Sequence, residues 1–128
     1  MLNQSGITKT TLASEKQILA NVELQSSVGC IVPTSLGVAV GTKKIAKAGT
    51  PVNIDLMVLS TIAKKPVAGS PMNAVLLHDV DVTAGNANGT ALVFGFVNVN
   101  RVEADTATEI TAALGIAGAS EKLTFMKA

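Results

Sequence analysis

The fold is decided by residues 74–102, whose sequence is AVLLHDVDVTAGNANGTALVFGFVNVNRV. Two apolar runs in this stretch flank a loop of small residues from Ala84 to Thr90. The side chains in both runs repeat with a period of two residues, and β-branched residues are frequent, which predicts strands. Asn88 and Gly89 suit the positive φ angles of a tight turn, so we predict a β-hairpin. The core residues expected from this hairpin are Leu76, Val80, Phe94 and Phe96.

Further short strands are predicted on both sides of the hairpin. They cover residues 17–25, 28–32, 36–40, 52–58 and 123–126. The first of these segments also fits an amphipathic helix over residues 15–24. Pro51 lacks a backbone N–H group, so the strand that follows from it should lie at a sheet edge. Residues 59–70 are predicted to form an irregular excursion because Pro and Gly interrupt them.

One short helix is predicted between residues 103 and 115, where the period of the pattern changes. Thr106 and Glu109 have the spacing of a capping box, in which each side chain accepts the other residue's backbone N–H. Gly115 suits a left-handed residue that ends the helix. Glu103 and Asp105 place negative charge where the positive end of the helix dipole is expected.

The fold class predicted from these elements is mainly β. We expect a compact small β-barrel or sandwich-like domain with one short α-helix near the C-terminus. Residues 17–128 would form this domain, and residues 1–16 would form an N-terminal arm that is flexible or orders on a partner. A frayed terminus with no role is the alternative for the arm.

The composition excludes several classes of partner. The chain has 128 residues and a net charge of +1, so a single domain is expected and no basic surface for nucleic acid is predicted. Aromatic residues are 2% of the chain, which argues against base-stacking platforms. The apolar runs are shorter than the ~20 residues of a membrane helix. With no signal peptide recognised, we expect a protein made in the cytoplasm without membrane partners.

No group of residues in the sequence predicts catalysis. His78, Asp79 and Asp81 are the nearest approach to a metal site, but on a strand His78 points away from the two carboxylates. We therefore expect Asp79 and Asp81 to face solvent, with no metal and no cofactor. Cys30 is the only cysteine and is predicted to be a small core residue. An enzyme is not expected.

A small basic cluster follows the Gly41-Thr42 turn. It consists of Lys43, Lys44 and Lys47. A solvated loop is the expected structure, because isolated lysines usually lie on the surface. A contact with an acidic protein face is the functional alternative.

Three segments give the chain a family resemblance. Lys47–Val52, Ala74–Thr83 and Gly89–Val97, together with the closing Lys122–Met126, resemble the head decoration (capsid cement) proteins of tailed bacteriophages. The similarity is greatest to the small virion proteins of phages that infect Gram-positive hosts. The resemblance implies a β-rich domain that forms homotrimers on the outer surface of the mature capsid. There it would bridge subunits of the major capsid protein and stabilise the head.

The resemblance also implies a role for the N-terminal arm. In such proteins the arm orders on the capsid, often by adding a strand to a capsid sheet, and backbone hydrogen bonds suit that task. The expected capsid-binding residues are Ile7, Thr8, Lys9, Thr10, Thr11 and Leu12. Two other functions fit the same pattern: a displayed β-sandwich that adheres to the host surface, and a tail-tube or connector subunit.

Overall fold

The computed structural model describes residues 18–19, 25–119 and 121–127. Within these ranges the chain forms eight strands, one α-helix and two short 3-10 helices. The strands are β1 Ser26–Val32, β2 Val38–Val40, β3 Lys43–Ala46, β4 Pro51–Val52, β5 Ala74–Leu76, β6 Val80–Asp81, β7 Ala87–Asn98 and β8 Leu123–Met126. The helix α1 is Ala104–Leu114, and the 3-10 helices are Thr34–Leu36 and Val99–Arg101.

The strands form two sheets. The larger sheet has the order β1–β7–β5–β4, and β8 runs parallel to the C-terminal half of β7. The smaller sheet has the order β2–β3–β6, with antiparallel pairing throughout. The architecture is sandwich-like and not a closed barrel. The mainly β fold with one helix near the C-terminus is therefore confirmed.

The predicted hairpin is only partly present. β5 pairs with β7 at Val75–Leu92 and Leu76–Ala91, as antiparallel strands do. After Leu77 the chain leaves this sheet, and β6 pairs with β3 in the smaller sheet. The single strand predicted over residues 74–83 is thus wrong, because its two halves belong to different sheets. A strand of alternating pattern can satisfy its backbone groups in either sheet, and the sequence does not choose between them.

The predicted turn at Asn88-Gly89 is also wrong. Both residues lie within β7, and Gly89 pairs with Cys30 of β1. The connection between β6 and β7 is therefore shorter than predicted. A glycine is needed at position 89 for space, because a Cβ atom there would lie 2.6 Å from Cγ2 of Val32.

A β-bulge changes which side chains of β7 are buried. Ser26 pairs with Phe94 and Ser27 pairs with Leu92, so Val93 is an extra residue on β7. One extra residue reverses the alternation of faces along a strand. The prediction that Phe94 is buried is wrong, since 44% of it is exposed, and Phe96 is only partly buried. Leu76 and Val80 are buried as predicted.

The core consists of two clusters on opposite sides of β5. Ala74 and Leu76 belong to the first cluster, whereas Val75 and Leu77 belong to the second. The first cluster also contains Cys30, Val32, Leu36, Ala46, Val52, Ile54, Ala63, Val80, Val82 and Ala91. The second also contains Ile18, Leu19, Ala48, Met72, Leu92, Val97, Ala113 and Leu123. Both faces of β5 are therefore covered, which places this strand at the centre of the molecule.

The helix lies where the sequence predicted, between residues 103 and 115, but its ends are capped differently. It begins at Ala104, and Glu103 occupies the N-cap position without a side-chain capping bond. The predicted capping box is therefore wrong. Thr106 is instead buried within the first turns, on the side of Gly49. Gly115 has φ −77° and is not left-handed, so that prediction is also wrong.

Several local predictions agree with the structure. β4 begins at Pro51 and lies at the end of the larger sheet, as expected of a strand that begins with proline. Gly41 has φ +63°, and Gly41 with Thr42 forms the two-residue turn between β2 and β3. The segment predicted as a strand over 36–40 contributes only Val38–Val40, because a 3-10 helix precedes it. Of the predicted strand at 17–25, Leu19 forms a bridge with Val97, and residues 20–24 lie outside the described ranges.

Candidate interaction surface

The most unusual surface feature is a loop of exposed apolar residues between β4 and β5. We call residues 55–62 the apolar loop. Met57 is 94% exposed and Leu59 is 96% exposed, while Leu56, Val58 and Ile62 are each about half exposed. Neighbouring Ile54, in contrast, is buried in the first core cluster. Five of the exposed large apolar side chains therefore come from one short segment, which contains the two most exposed of them, Met57 and Leu59.

Hydrogen bonds within the loop explain why its apolar side chains face outward. The Met57 N–H donates to Oδ1 of Asp55 over 3.0 Å, and the Asp55 N–H donates to Oγ1 of Thr61 over 3.0 Å. The Val58 N–H donates to the Asp55 carbonyl oxygen over 3.2 Å. Ser60 adopts φ +54°, which closes the turn. Backbone N–H groups of the turn are thus bonded within the loop, and its apolar side chains extend into solvent.

The base of the loop is anchored to the sheet. Asn53 and Lys64 exchange backbone hydrogen bonds of 2.8 and 3.0 Å. Ile31 of β1 donates its N–H to the Thr61 carbonyl and accepts the Ala63 N–H at its own carbonyl, over 2.8 and 2.9 Å. These bonds hold the loop in a fixed position on the domain. An anchored loop can offer its apolar side chains to a partner with little loss of conformational freedom.

Such exposure is unfavourable for a protein that works alone. Burying a side chain such as Leu or Met contributes about 1.5–3 kcal/mol relative to leaving it in water. Monomeric soluble proteins rarely expose large continuous apolar patches, and those that occur commonly mark interaction sites. The apolar loop is therefore the best candidate for a surface that a partner covers.

A groove beside α1 is a second apolar feature. We call it the helix groove, and its volume is about 370 Å³. Its apolar lining comprises Leu36, Val38, Pro51, Pro66, Ala112, Ala113 and Ile116. Lys65 and Glu109 add one charge of each sign. The helix groove has no cluster of catalytic side chains, so its chemistry suits the binding of an apolar group.

The residues considered for a metal site serve the backbone instead. Oδ1 of Asp79 accepts the Ala48 N–H over 2.7 Å, and Oδ1 of Asp81 accepts the Thr83 N–H over 2.9 Å. Hydrogen bonds from the Thr83 side chain and backbone lower the pKa of Asp81. His78 is half-buried. Within the described ranges, no three His, Cys, Asp or Glu residues are grouped so that they could hold a metal ion.

Cys30 is a core residue, as predicted. It is buried in the first cluster, and its thiol is not in a disulfide. Burial raises the pKa of the thiol, because the charged thiolate loses solvation. A raised pKa leaves less thiolate at neutral pH, which makes Cys30 a poor nucleophile.

The basic cluster lies on a strand and not on a loop. Lys43 and Lys44 are exposed residues of β3, and only Lys47 lies outside the strand, so the predicted loop is wrong there. The backbone of Lys44 is fixed by a 2.8 Å bond from its N–H to Oγ1 of Thr83. Solvent exposure of the first two lysines agrees with the prediction, and a contact with an acidic face stays a prediction.

The predicted capsid-binding residues Ile7, Thr8, Lys9, Thr10, Thr11 and Leu12 lie outside the described residues.

The apolar loop was not predicted, because Leu56 and Val58 were assigned to a strand in which they alternate with Asp55 and Met57. The structure has a turn there. One signal in the sequence was available: four consecutive apolar residues, Leu56 to Leu59, break the alternation expected of a strand with one buried face.

Comparisons with known proteins give no family for the chain. No protein-family model matches it, and no curated protein sequence matches it. Within the part of the chain that the structure describes, no helix is long and apolar enough to cross a membrane. The function must therefore be argued from the surface features above and from the resemblance in the sequence.

Proposed function

We propose that this protein is a structural virion protein, a head decoration protein of a tailed bacteriophage. It binds the outside of the mature capsid as a homotrimer and bridges neighbouring subunits of the major capsid protein. Its role is adhesive: many weak contacts repeated over a symmetric lattice give strong overall binding. No cofactor takes part, and the protein works on the capsid surface after synthesis in the host cytoplasm.

The observation that carries this proposal is the apolar loop. A β-rich domain with anchored, outward-facing Met57 and Leu59 is suited to contact another protein surface. The near-neutral net charge of +1 argues against nucleic acid as that surface. The resemblance at residues 47–52, 74–83 and 89–97 supplies the kind of assembly in which such a surface would be covered, namely an oligomer on a capsid.

The proposal assigns capsid binding to the N-terminal arm. Ile7 and Leu12 are the apolar residues in an otherwise polar segment between residues 3 and 12, apart from Gly6. An extended arm of this kind can pair its backbone with the edge of a capsid sheet, and its apolar side chains can fill pockets. Ile7 and Leu12 are five residues apart, so in a regular strand they would point to opposite faces. Affinity then comes from backbone hydrogen bonds and not from charge.

Binding of purified protein to mature heads tests the proposal. The heads are assembled from the major capsid protein of the phage that carries this chain's gene, and they lack the decoration protein. We expect the full chain to co-sediment with expanded heads and to raise their resistance to heat. Removal of residues 1–16 should leave a folded domain, as judged by circular dichroism, that no longer co-sediments.

The matched control keeps the arm's length and changes only its polar residues. Thr8→Ser together with Thr11→Ser should retain binding, whereas Ile7→Ser together with Leu12→Ser should weaken it. Failure of the full chain to bind heads would refute the decoration function. Undiminished binding of the shortened chain would refute the assignment of the arm.

A host-surface adhesion module is the second candidate, and the same apolar loop favours it. An adhesive sandwich needs an exposed apolar patch on a loop, which residues 55–62 provide. Binding of the purified protein to host cells, with Leu59→Asp as the variant, separates the two functions. Binding to cells and not to heads would favour adhesion.

A tail-tube or connector subunit has less support. That function needs a hairpin that can pair with neighbouring copies. β7 is already paired with β1 along one edge and with β5 and β8 along the other. Much of β7 is therefore already paired within the chain.

A further inference from the structure

We propose that the apolar loop of one copy of this chain inserts into the helix groove of a second copy. The inference deepens the proposed function, because it rests on the proposal that the chain works as an oligomer. It assigns the contact that holds the oligomer together. The loop contributes Met57 and Leu59, and the groove contributes the apolar wall between β2, β4 and α1.

The two surfaces match in size and chemistry. Met57 and Leu59 are almost fully exposed, so both can enter a pocket without disturbing the fold. The helix groove has a volume of about 370 Å³, which lies within the ~300–1,000 Å³ of typical binding pockets. Val38, which lines the groove, is itself 42% exposed. Insertion would therefore cover apolar surface on both copies.

Each of the two surfaces carries one acidic and one basic side chain, so a docked arrangement in which opposite charges face each other is available. Asp55 is the first residue of the loop, Lys64 follows the last by two residues, and both are exposed. Lys65 and Glu109 line the groove. Asp55 of one copy can face Lys65 of the other, and Lys64 can face Glu109. The net charge of +1 leaves little repulsion between copies. Charges of both signs beside the apolar side chains favour a second copy over a lipid surface, because anionic lipids are bound by clusters of basic residues.

The contact joins different surfaces on the two copies. Lys64 lies on the side of the apolar loop, whereas the next residue, Lys65, lies in the helix groove. The loop and the groove therefore lie on opposite sides of this segment, as successive residues of an extended chain do. A contact between unlike surfaces forms a closed ring when its rotation closes. Each copy in such a ring donates one loop and accepts one loop.

Disulfide cross-linking tests the contact directly. Leu59→Cys and Ala112→Cys are made as separate variants, because Ala112 is exposed on α1 and lines the groove. Cys30 is buried and can stay in place. Under mild oxidation, a mixture of the two variants should form a 59–112 disulfide that mass spectrometry identifies between chains.

The control mixture combines Ala112→Cys with Met126→Cys, since Met126 is exposed at 41% and lies outside the loop and the groove. Cross-linking of the 59–112 mixture should be clearly faster than that of the control. Equal rates would overturn the proposal. A chain that carries both Leu59→Cys and Ala112→Cys should give one closed covalent oligomer and not a ladder of open chains.

Sedimentation of the full chain in the absence of capsids gives the second measurement. The full chain should form a concentration-dependent oligomer. Leu59→Asp should weaken association by about thirty-fold or more, as loss of a central anchor does. Glu109→Lys should weaken it, and adding Lys64→Glu should restore it. Met126→Asp should have no effect.

The result also separates this inference from the proposed function. A full chain that stays monomeric, or a Leu59→Asp variant that still associates, overturns the loop–groove contact whether or not heads are bound. Association without head binding leaves the contact standing and refutes decoration. Loss of binding to anionic phospholipid vesicles in Leu59→Asp, with association unchanged, would assign the loop to a lipid surface and overturn the proposal.

Discussion

At the scale of single residues, Asp79 shows how a carboxylate that resembles a metal ligand can instead stabilise a chain bend. Its Oδ1 accepts the Ala48 N–H over 2.7 Å, between two segments 31 residues apart in the sequence. Ala48 is 2% exposed, so water cannot readily replace the carboxylate as an acceptor. This bond lies where the chain passes from β5 in one sheet to β6 in the other.

Asp79→Ala should therefore destabilise the domain. Leaving a buried N–H without its acceptor costs about 1–3 kcal/mol, and we expect a loss of unfolding free energy in that range in urea. Glu121→Ala is the control, since Glu121 is an exposed residue in the turn before β8. Its effect should stay within about 0.5 kcal/mol. Equal stability of the two variants would contradict a structural role for Asp79.

At the scale of elements, the pairing of β1 with β7 contains two glycines that differ in the space around them. Cys30 pairs with Gly89, and the neighbouring Gly29 pairs with Thr90. A Cβ atom on Gly89 would lie 2.6 Å from Cγ2 of Val32 and 3.1 Å from Cγ2 of Val80. A Cβ atom on Gly29 would meet nothing within 4 Å. Gly89 thus allows the close approach of core side chains, whereas Gly29 is not needed for space.

Substitution by alanine should separate the two positions. Gly89→Ala should lower the unfolding free energy by about 1–3 kcal/mol, as overpacking of a core does. Gly29→Ala should be neutral or stabilise by about 0.4–1 kcal/mol, because alanine restricts the unfolded chain. Thermal or urea unfolding measures both. A Gly89→Ala variant as stable as Gly29→Ala would show that the core beside β7 can expand.

At the scale of the whole molecule, β5 and β7 join the two core clusters into one cooperative unit. Leu76 of β5 belongs to the first cluster, and Leu92 of β7 belongs to the second. Both are fully buried, and they lie one residue apart along the same strand pairing. Loss of either cluster would expose one face of both strands, so neither cluster can persist alone.

Leu76→Ala and Leu92→Ala should each destabilise the domain by about 2–5 kcal/mol. Unfolding in urea should remain a single transition in both variants. The chain has no Trp or Tyr, so circular dichroism and the reactivity of the buried Cys30 thiol are the two probes. Separate midpoints for the two probes would mean that the clusters unfold independently.

The exposed loop belongs to the same scale, because only a partner outside the domain could cover it. The core is built largely from Val, Leu, Ile and Ala, which bury less area than aromatic residues do. A core of smaller side chains favours additional stabilisation by subunit contacts. A surface formed by Met57 and Leu59 is consistent with that hypothesis, and oligomer formation is what the cross-linking and sedimentation experiments measure.

The sequence by itself determined the features that depend on local chemistry. A period of two residues predicts strand, proline at position 51 predicts an edge, and Gly41 predicts a turn, because each follows from the backbone of a few neighbouring residues. The burial of Cys30, Leu76 and Val80 follows in the same way from their apolar side chains.

Only the tertiary structure decided which segments meet. Alternation determines the face on which a side chain lies, but not the strand with which its backbone pairs. Residues 74–83 are divided between two sheets because their first part pairs with β7 and their second part with β3. The bulge at Val93 changes the face of the strand on which Phe94 lies, and Phe94 is exposed. Thr106 is buried beside Gly49, which has no side chain. Asp55 accepts the Met57 N–H and so stabilises a turn in place of the predicted strand. In this turn Met57 and Leu59 are exposed.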